Sequence, residues 1–207
     1  MDLNFAFEFM IKLSACELRV KEPTEEDLAK IVRHPIYLVL DNILDTYNVG
    51  AIFRLADAMA VGKVYLCGQT NVPTDPKVGH KIQKASVGTW KWVEWEHAET
   101  VVSAISSIKD QKSKITTNSK VALHATSYKL HVVAIEQHPN SIPYDKADYS
   151  YPLVLIAGNE TSGVSAEVLE ISDQIVEIPM FGVNKSLNVM VSLAIVLWKV
   201  IERGVIK

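Results

Sequence analysis

Five short, largely apolar runs punctuate this chain, and they constrain its fold more than any other feature. They are Tyr37–Leu40, Val64–Cys67, Val121–Ala125, Leu153–Ala157 and Ile175–Ile178. Runs of four or five residues are too short for buried helices, and Gly62 and Gly68 bracket the second of them, so each predicts a strand. Stretches with helical spacing lie between them. Ile52, Leu55, Ala56 and Met59 share one face over 49–59, and further helices are expected over 101–108, 165–171 and 187–203. Strands alternating with helices predict an α/β fold with a mostly parallel sheet flanked by helices. The lack of polar alternation within the strands predicts a sheet covered on both faces.

The N-terminal 33 residues follow a different pattern, helical throughout, with Pro23 and the acidic Glu25, Glu26 and Asp27 opening one turn. His34-Pro35 ends it, because the residue before proline disfavours helical backbone. This divides the chain into a short helical extension over 1–34 and one domain over 35–207. A chain of 207 residues with 48% hydrophobic and 22% charged residues suits such a domain. The net charge of −3 excludes coating of nucleic acid by bulk electrostatics, so any RNA contact must come from a local patch. Two distant cysteines make no disulfide framework, and a reduced, cytoplasmic setting is expected. No apolar stretch reaches the ~20 residues of a membrane span, and the N-terminus lacks the pattern of a signal peptide.

Several chemistries are absent. No two glycines stand one residue apart, which excludes a G-x-G-x-x-G dinucleotide turn. The run from Gly158 to Gly163 has the glycine spacing of a P-loop, but Val164 occupies the lysine position. There is no G-x-S-x-G elbow, and no histidine pair at i, i+4 for a helical metal site. Cys67 ends a strand and is read as a core thiol.

The unusual polar residues fall at the C-terminal ends of predicted strands, where open α/β sheets place their ligands. After the first strand come Asn48, read as the cap of the following helix, and Arg54. After the fourth come Gly158, Asn159 and Glu160, with a carboxylate between two glycines. After the fifth, Ser186 and Asn188 open an apolar helix, and capping accounts for only one of them.

These segments resemble the SpoU/TrmH family of the SPOUT superfamily, the S-adenosylmethionine-dependent RNA ribose 2′-O-methyltransferases. The first motif is Asn48-Val49-Gly50-Ala51-Ile52-Phe53-Arg54, followed by Ala56-Asp57-Ala58. The second is Gly158-Asn159-Glu160-Thr161-Ser162-Gly163, and the third runs from Ile178-Pro179-Met180 through Ser186-Leu187-Asn188-Val189. Met190 departs from the serine that members often carry there. The resemblance implies a deep C-terminal trefoil knot, a homodimer with the site near its interface, and S-adenosyl-L-methionine as cofactor with no metal. It implies that Leu123, His124, Ala125, Gly158, Asn159, Ile178, Met180, Ser186 and Leu187 hold the cofactor. It also implies that Arg54, with Asn48, Glu160, Ser186 and Asn188, serves catalysis, Arg54 acting as base or as orienter of the ribose hydroxyl. The substrate would be tRNA or rRNA, contacted by Arg54, Lys81, Lys84 and Ser86 within a basic stretch that includes Lys77, His80 and Lys91. Trp90, Trp92 and Trp95 are read either as stacking platforms for bases or as core. The alternative from another class is a knotted RNA- or cofactor-binding protein without turnover, such as an assembly factor.

Overall fold

The structure is a computed structural model that describes residues 13–14, 16–19, 21–116 and 129–204. Seven strands form one sheet: β1 His34–Asp41, β2 Val61–Cys67, β3 Trp95–Ala98, β4 His131–Ile135, β5 Ile142–Pro143, β6 Leu153–Gly158 and β7 Gln174–Glu177. Their order across the sheet is β3-β2-β1-β6-β4-β7-β5, and every pairing is parallel. The helices are α1 Glu25–Ala29, α2 Thr46–Ala58, α3 Gly79–Ser86, α4 Val101–Thr116, α5 Ala166–Ile171 and α6 Val189–Gly204. The expected mostly parallel α/β sheet is therefore present.

Alternate side chains of each central strand enter two separate cores. Ile36, Leu38 and Leu40 of β1 pack with Val49, Ile52, Phe53 and Ala56 of α2 and with Leu193, Val196 and Leu197 of α6. On the opposite face, Val39 joins Val154 and Ile156 of β6, covered by Val101, Ala104, Ile105 and Ile108 of α4 and by Val168 of α5. Burial on both faces is what removed polar alternation from these strands.

Several elements differ from the sequence expectation. Strand β4 was not foreseen, whereas the predicted strand Val121–Ala125 lies outside the described residues. Strand β3 was not foreseen, because Trp-Glu-His-Ala at a sheet edge has no apolar run. Before β1, the described residues form a 3-10 turn, Glu17–Arg19, and the single-turn α1. A capping box closes α1: the Thr24 amide donates to Asp27 at 3.1 Å and the Asp27 amide to Thr24 Oγ1 at 3.2 Å. Arg33 then anchors this segment to the sheet by donating to the carbonyls of Val61 and Trp92, both at 3.1 Å.

The layout brings the carboxyl ends of β1 and β6 together. From β1 the chain steps outward through β2 to β3, whereas β6, β4, β7 and β5 lie on the other side of β1. Asp41 pairs with Gly158 at the carboxyl ends of β1 and β6. The crevice at this reversal is where doubly wound sheets hold ligands.

Candidate functional site

Asp41 and Asn42 close β1. The Asp41 carboxylate, only 5% exposed, accepts the Ser165 amide at 3.2 Å and the Ser165 hydroxyl at 3.0 Å, which fixes the start of α5. Asn42 takes the left-handed backbone at φ 56, a conformation asparagine tolerates, and its carbonyl accepts Asn159 Nδ2 at 2.7 Å. Asp45, not Asn48, caps α2, its side chain accepting the Tyr47 amide at 2.8 Å. Asn48, one turn inside the helix, is thereby free of capping.

Asn48, 8% exposed, donates through Nδ2 to Glu160 at 3.0 Å and accepts Asn188 Nδ2 at 2.9 Å. Glu160 also accepts the amides of Leu44 at 3.2 Å and Asp45 at 3.1 Å. Partial burial works against ionisation of Glu160, but the Asn48 amide and these backbone donors outweigh it and hold the carboxyl below its ordinary value. Asn188 in turn accepts the Met190 amide at 2.9 Å and so opens α6. One linkage thus joins residues from all three motifs.

Glu160 sits on a tight turn in which Asn159 and Gly163 exchange backbone bonds of 3.0 and 2.9 Å. Both flanking glycines are required here. A Cβ on Gly158 would lie 2.3 Å from Gly163 C and Val164 N, and Gly163 has φ +70 with Glu136 Oε2 2.1 Å from where its Cβ would be. Gly50 of the first motif has a different reason: its bare face lets α2 lie against α3, where a Cβ would come within 2.5 Å of Ala85 Cβ.

A cavity of about 550 Å³ opens beside this turn, walled by the segments that follow β4, β6 and β7. Gly158, Asn159, Ile178, Met180, Ser186 and Leu187, all expected at a cofactor site, line it, as do Glu160 and Asn188. Leu123, His124 and Ala125 lie outside the described residues. The wall after β4 is made by Ile135, Glu136 and Gln137, which the sequence reading did not single out.

Two expected catalytic residues stand apart from the linkage. Arg54 is exposed on α2 and has no side-chain hydrogen bond or ion pair among the described residues. Ser186 lines the cavity, and its hydroxyl and amide donate to Asn184 at 3.2 and 3.1 Å.

Of the expected RNA contacts, Lys81 and Lys84 are exposed on α3. Ser86 is fully buried and donates to the Gln83 carbonyl at 2.9 Å, so its side chain faces the interior and is corrected to a structural role. The three tryptophans pack against the core. Trp92 donates to Asp57 at 2.7 Å, and Trp95 meets Phe53 edge to face with centroids 6.4 Å apart.

A parallel α/β sheet with a polar linkage and a cavity at the carboxyl ends of β4, β6 and β7 has the architecture in which α/β proteins place small-molecule sites. Within that class the chain belongs to the SpoU rRNA Methylase family, whose profile matches residues 35–198. It is 32% identical over 159 residues to a tRNA (guanosine(18)-2′-O)-methyltransferase of Aquifex aeolicus, an alignment covering 77% of this chain and 65% of that protein. The chain therefore spans less than two thirds of that relative's length. Among solved structures, the A. aeolicus TrmH/SpoU tRNA modifying enzyme superposes with a TM-score of 0.66 at 27% identity, over 85% of this chain and 81% of that one. An AdoMet-bound rRNA methyltransferase from Sinorhizobium meliloti gives a TM-score of 0.67 at 25% identity, over 91% and 60%.

Proposed function

We propose that this protein transfers a methyl group from S-adenosyl-L-methionine to a ribose 2′-hydroxyl in tRNA or rRNA. The observation that carries the reading is the cavity itself. Three sequence segments, those after β4, β6 and β7, build it, and the Asn48–Glu160–Asn188 linkage closes one side.

The residues present fit the cofactor. The cavity falls in the usual size range for small-molecule sites, ~300–1,000 Å³. Ile178 and Leu187 offer apolar surface and main-chain groups to an adenosine, while Gly158 leaves the backbone open to close approach. When bound, S-adenosylmethionine supplies a methyl group on a positively charged sulfur, which needs only a well-placed oxygen nucleophile. The chain's task is then to orient the ribose and manage its proton. Glu160, kept ionised by its donors, and Asn48 form the fixed polar floor. Arg54, free of partners among the described residues, is available to engage the ribose hydroxyl and a neighbouring phosphate, either orienting the hydroxyl as a guanidinium or, once the RNA-bound site has stripped its own proton, receiving that of the hydroxyl as a neutral guanidine. Exposed Lys81 and Lys84 extend a cationic surface for the RNA backbone.

The reading includes a trefoil knot in the 35–207 domain, a cytoplasmic setting and a homodimer. Support for a second copy comes from apolar side chains left in solvent near the site: Leu44 and Tyr47 before and on α2, and Val191 and Trp198 on α6, with Tyr47 and Trp198 more than half exposed. Among the described residues no helix is long and apolar enough to cross a membrane.

The test uses purified protein, methyl-labelled S-adenosylmethionine and separate pools of tRNA and rRNA from cells lacking the gene. Label recovered in a nuclease-resistant 2′-O-methylated dinucleotide from one pool, and lost with Arg54→Ala, is the expected result. Cofactor binding without label in either pool would replace this reading with a non-catalytic binding protein.

A further inference from the structure

Two adjacent residues outside the Asn48–Glu160–Asn188 linkage connect all three walls of the cavity. We propose that Glu136 and Gln137 are positioning residues that set its affinity for the cofactor, an inference that rests on reading the cavity as the S-adenosylmethionine site. Both directly follow β4. The Glu136 amide donates to the Val176 carbonyl of β7 at 3.0 Å, which joins the first wall to the third. Its carboxylate reaches the second wall: Oε2 accepts the Val164 amide at 2.8 Å, while Oε1 accepts the Gln137 amide at 2.8 Å. Gln137 then donates through Nε2 to the Lys185 carbonyl in the segment after β7.

Each tie holds something that little else holds. Val164 is 5% exposed, so losing its acceptor would leave a buried N–H unsatisfied. The Val164 amide also adjoins Gly163, the last residue of the turn that carries Glu160. Gly163 lacks the Cβ that would collide with Glu136, and this permits the carboxylate to seat against the turn. The segment from Pro179 to Leu187 buries almost nothing; Phe181 is 99% exposed. Among the described residues, the Gln137–Lys185 bond is the one hydrogen bond from a side chain elsewhere in the fold to 179–187. A wall with so few contacts keeps its shape only while that bond stands, and ordering it on ligand binding would otherwise cost conformational entropy.

The experiment uses the full chain as wild type, Glu136→Ala, Glu136→Gln and Gln137→Ala. S-adenosylmethionine binding is titrated calorimetrically without RNA, and amide hydrogen exchange is followed without any ligand. Loss of at least tenfold in affinity is expected for both alanine variants, the order set by one lost bond to a buried or charged group. Glu136→Gln recovers most of it, because its amide oxygen still accepts from Val164. The Val164 amide exchanges faster in Glu136→Ala than in wild type, and the KM for RNA stays unchanged. Unaltered affinity in Glu136→Ala overturns the proposal. So does an equal loss in Glu136→Gln that tracks a fall in melting temperature, since that would mean general destabilisation. Failure of the wild type to bind S-adenosylmethionine would overturn the functional reading instead, and Val164 exchange would then decide the Glu136 tie on its own.

Discussion

Replacing Asn48 by aspartate keeps the shape of the side chain that joins Glu160 to Asn188 and turns one of its hydrogen bonds into a repulsion. The Nδ2 donor, 3.0 Å from Glu160 Oε1, becomes a carboxylate oxygen facing another carboxylate. The lost charge-assisted bond is worth about 1.5–3 kcal/mol. Two like charges 3 Å apart repel by roughly 5 kcal/mol at an effective dielectric constant of ~20. Glu160 faces solvent on one side, and screening reduces that to about half. The penalty has a ceiling: a carboxyl of ordinary pKa ~4.3 can instead take up a proton at pH 7.5 for about 4 kcal/mol. Asn48→Asp should therefore destabilise the full chain by about 4 kcal/mol at pH 7.5, a large part of a typical domain's ~5–15 kcal/mol.

The pH dependence gives a second signature. In the wild type the Glu160 pKa is lowered, so its contribution is present above the unfolded pKa and is lost as pH falls through the folded value. In the variant the carboxylate pair has a raised apparent pKa, so its penalty is present at neutral pH and relieved on acidification. Urea denaturation at pH 7.5, 6 and 4.5 should show the two proteins converging. A variant within about 1 kcal/mol of wild type at pH 7.5, or a gap that does not narrow with acid, would refute the account of Glu160 as a carboxylate held by Asn48.

Gly158→Ala drives a Cβ to 2.3 Å from the backbone of Gly163 and Val164, where no flexible side chain can yield. It should cost at least ~1–3 kcal/mol in thermal denaturation and abolish calorimetric binding of S-adenosylmethionine. Trp92→Phe removes the donor to Asp57, whose pKa burial already raises against the lowering effects of Trp92 and Arg33. The folded pKa then rises further, so a loss of ~1–3 kcal/mol is expected at pH 7 and a smaller one near pH 4, read by urea denaturation at both.

Much of this arrangement was legible in the sequence, for identifiable reasons. Strands β1, β2 and β6 carry buried apolar runs and β7 the short pair Ile175-Val176, and the amphipathic spacing of α2 and α6 is plain. Glu160 and Asn188 were legible as polar groups out of place, Asn48 was read as a cap and gained its role from the resemblance, and the structure joins the three. Helix α3 was hidden because its exposed face is basic and its cap, Val78, supplies no side-chain bond. Asp45 and Asn48 are both good caps three residues apart, and only tertiary contact with Glu160 distinguishes them. Glu136 and Gln137 were invisible because His-Val-Val-Ala-Ile, the run that forms β4 before them, was not read as a strand. Ser86 looked available in a lysine-rich stretch, yet the close approach of α2 and α3 buries it.

Strand β1 draws its two neighbours from very different distances along the chain. Its β2 partner follows almost at once, but 117 positions separate Asn42 from Asn159, the residue it binds at the end of β6. A ribosome adding about 5–20 residues per second would take on the order of ten seconds to cover that span. Throughout it, the β6-facing edge of β1 is an open template, flanked by Ile36, Leu38 and Leu40, which the finished protein hides completely. The same adjacency that places Asp41 beside Gly158 thus gives the nascent chain its longest exposure to mispairing, and leaves the cavity to be built only when the last third of the chain has arrived.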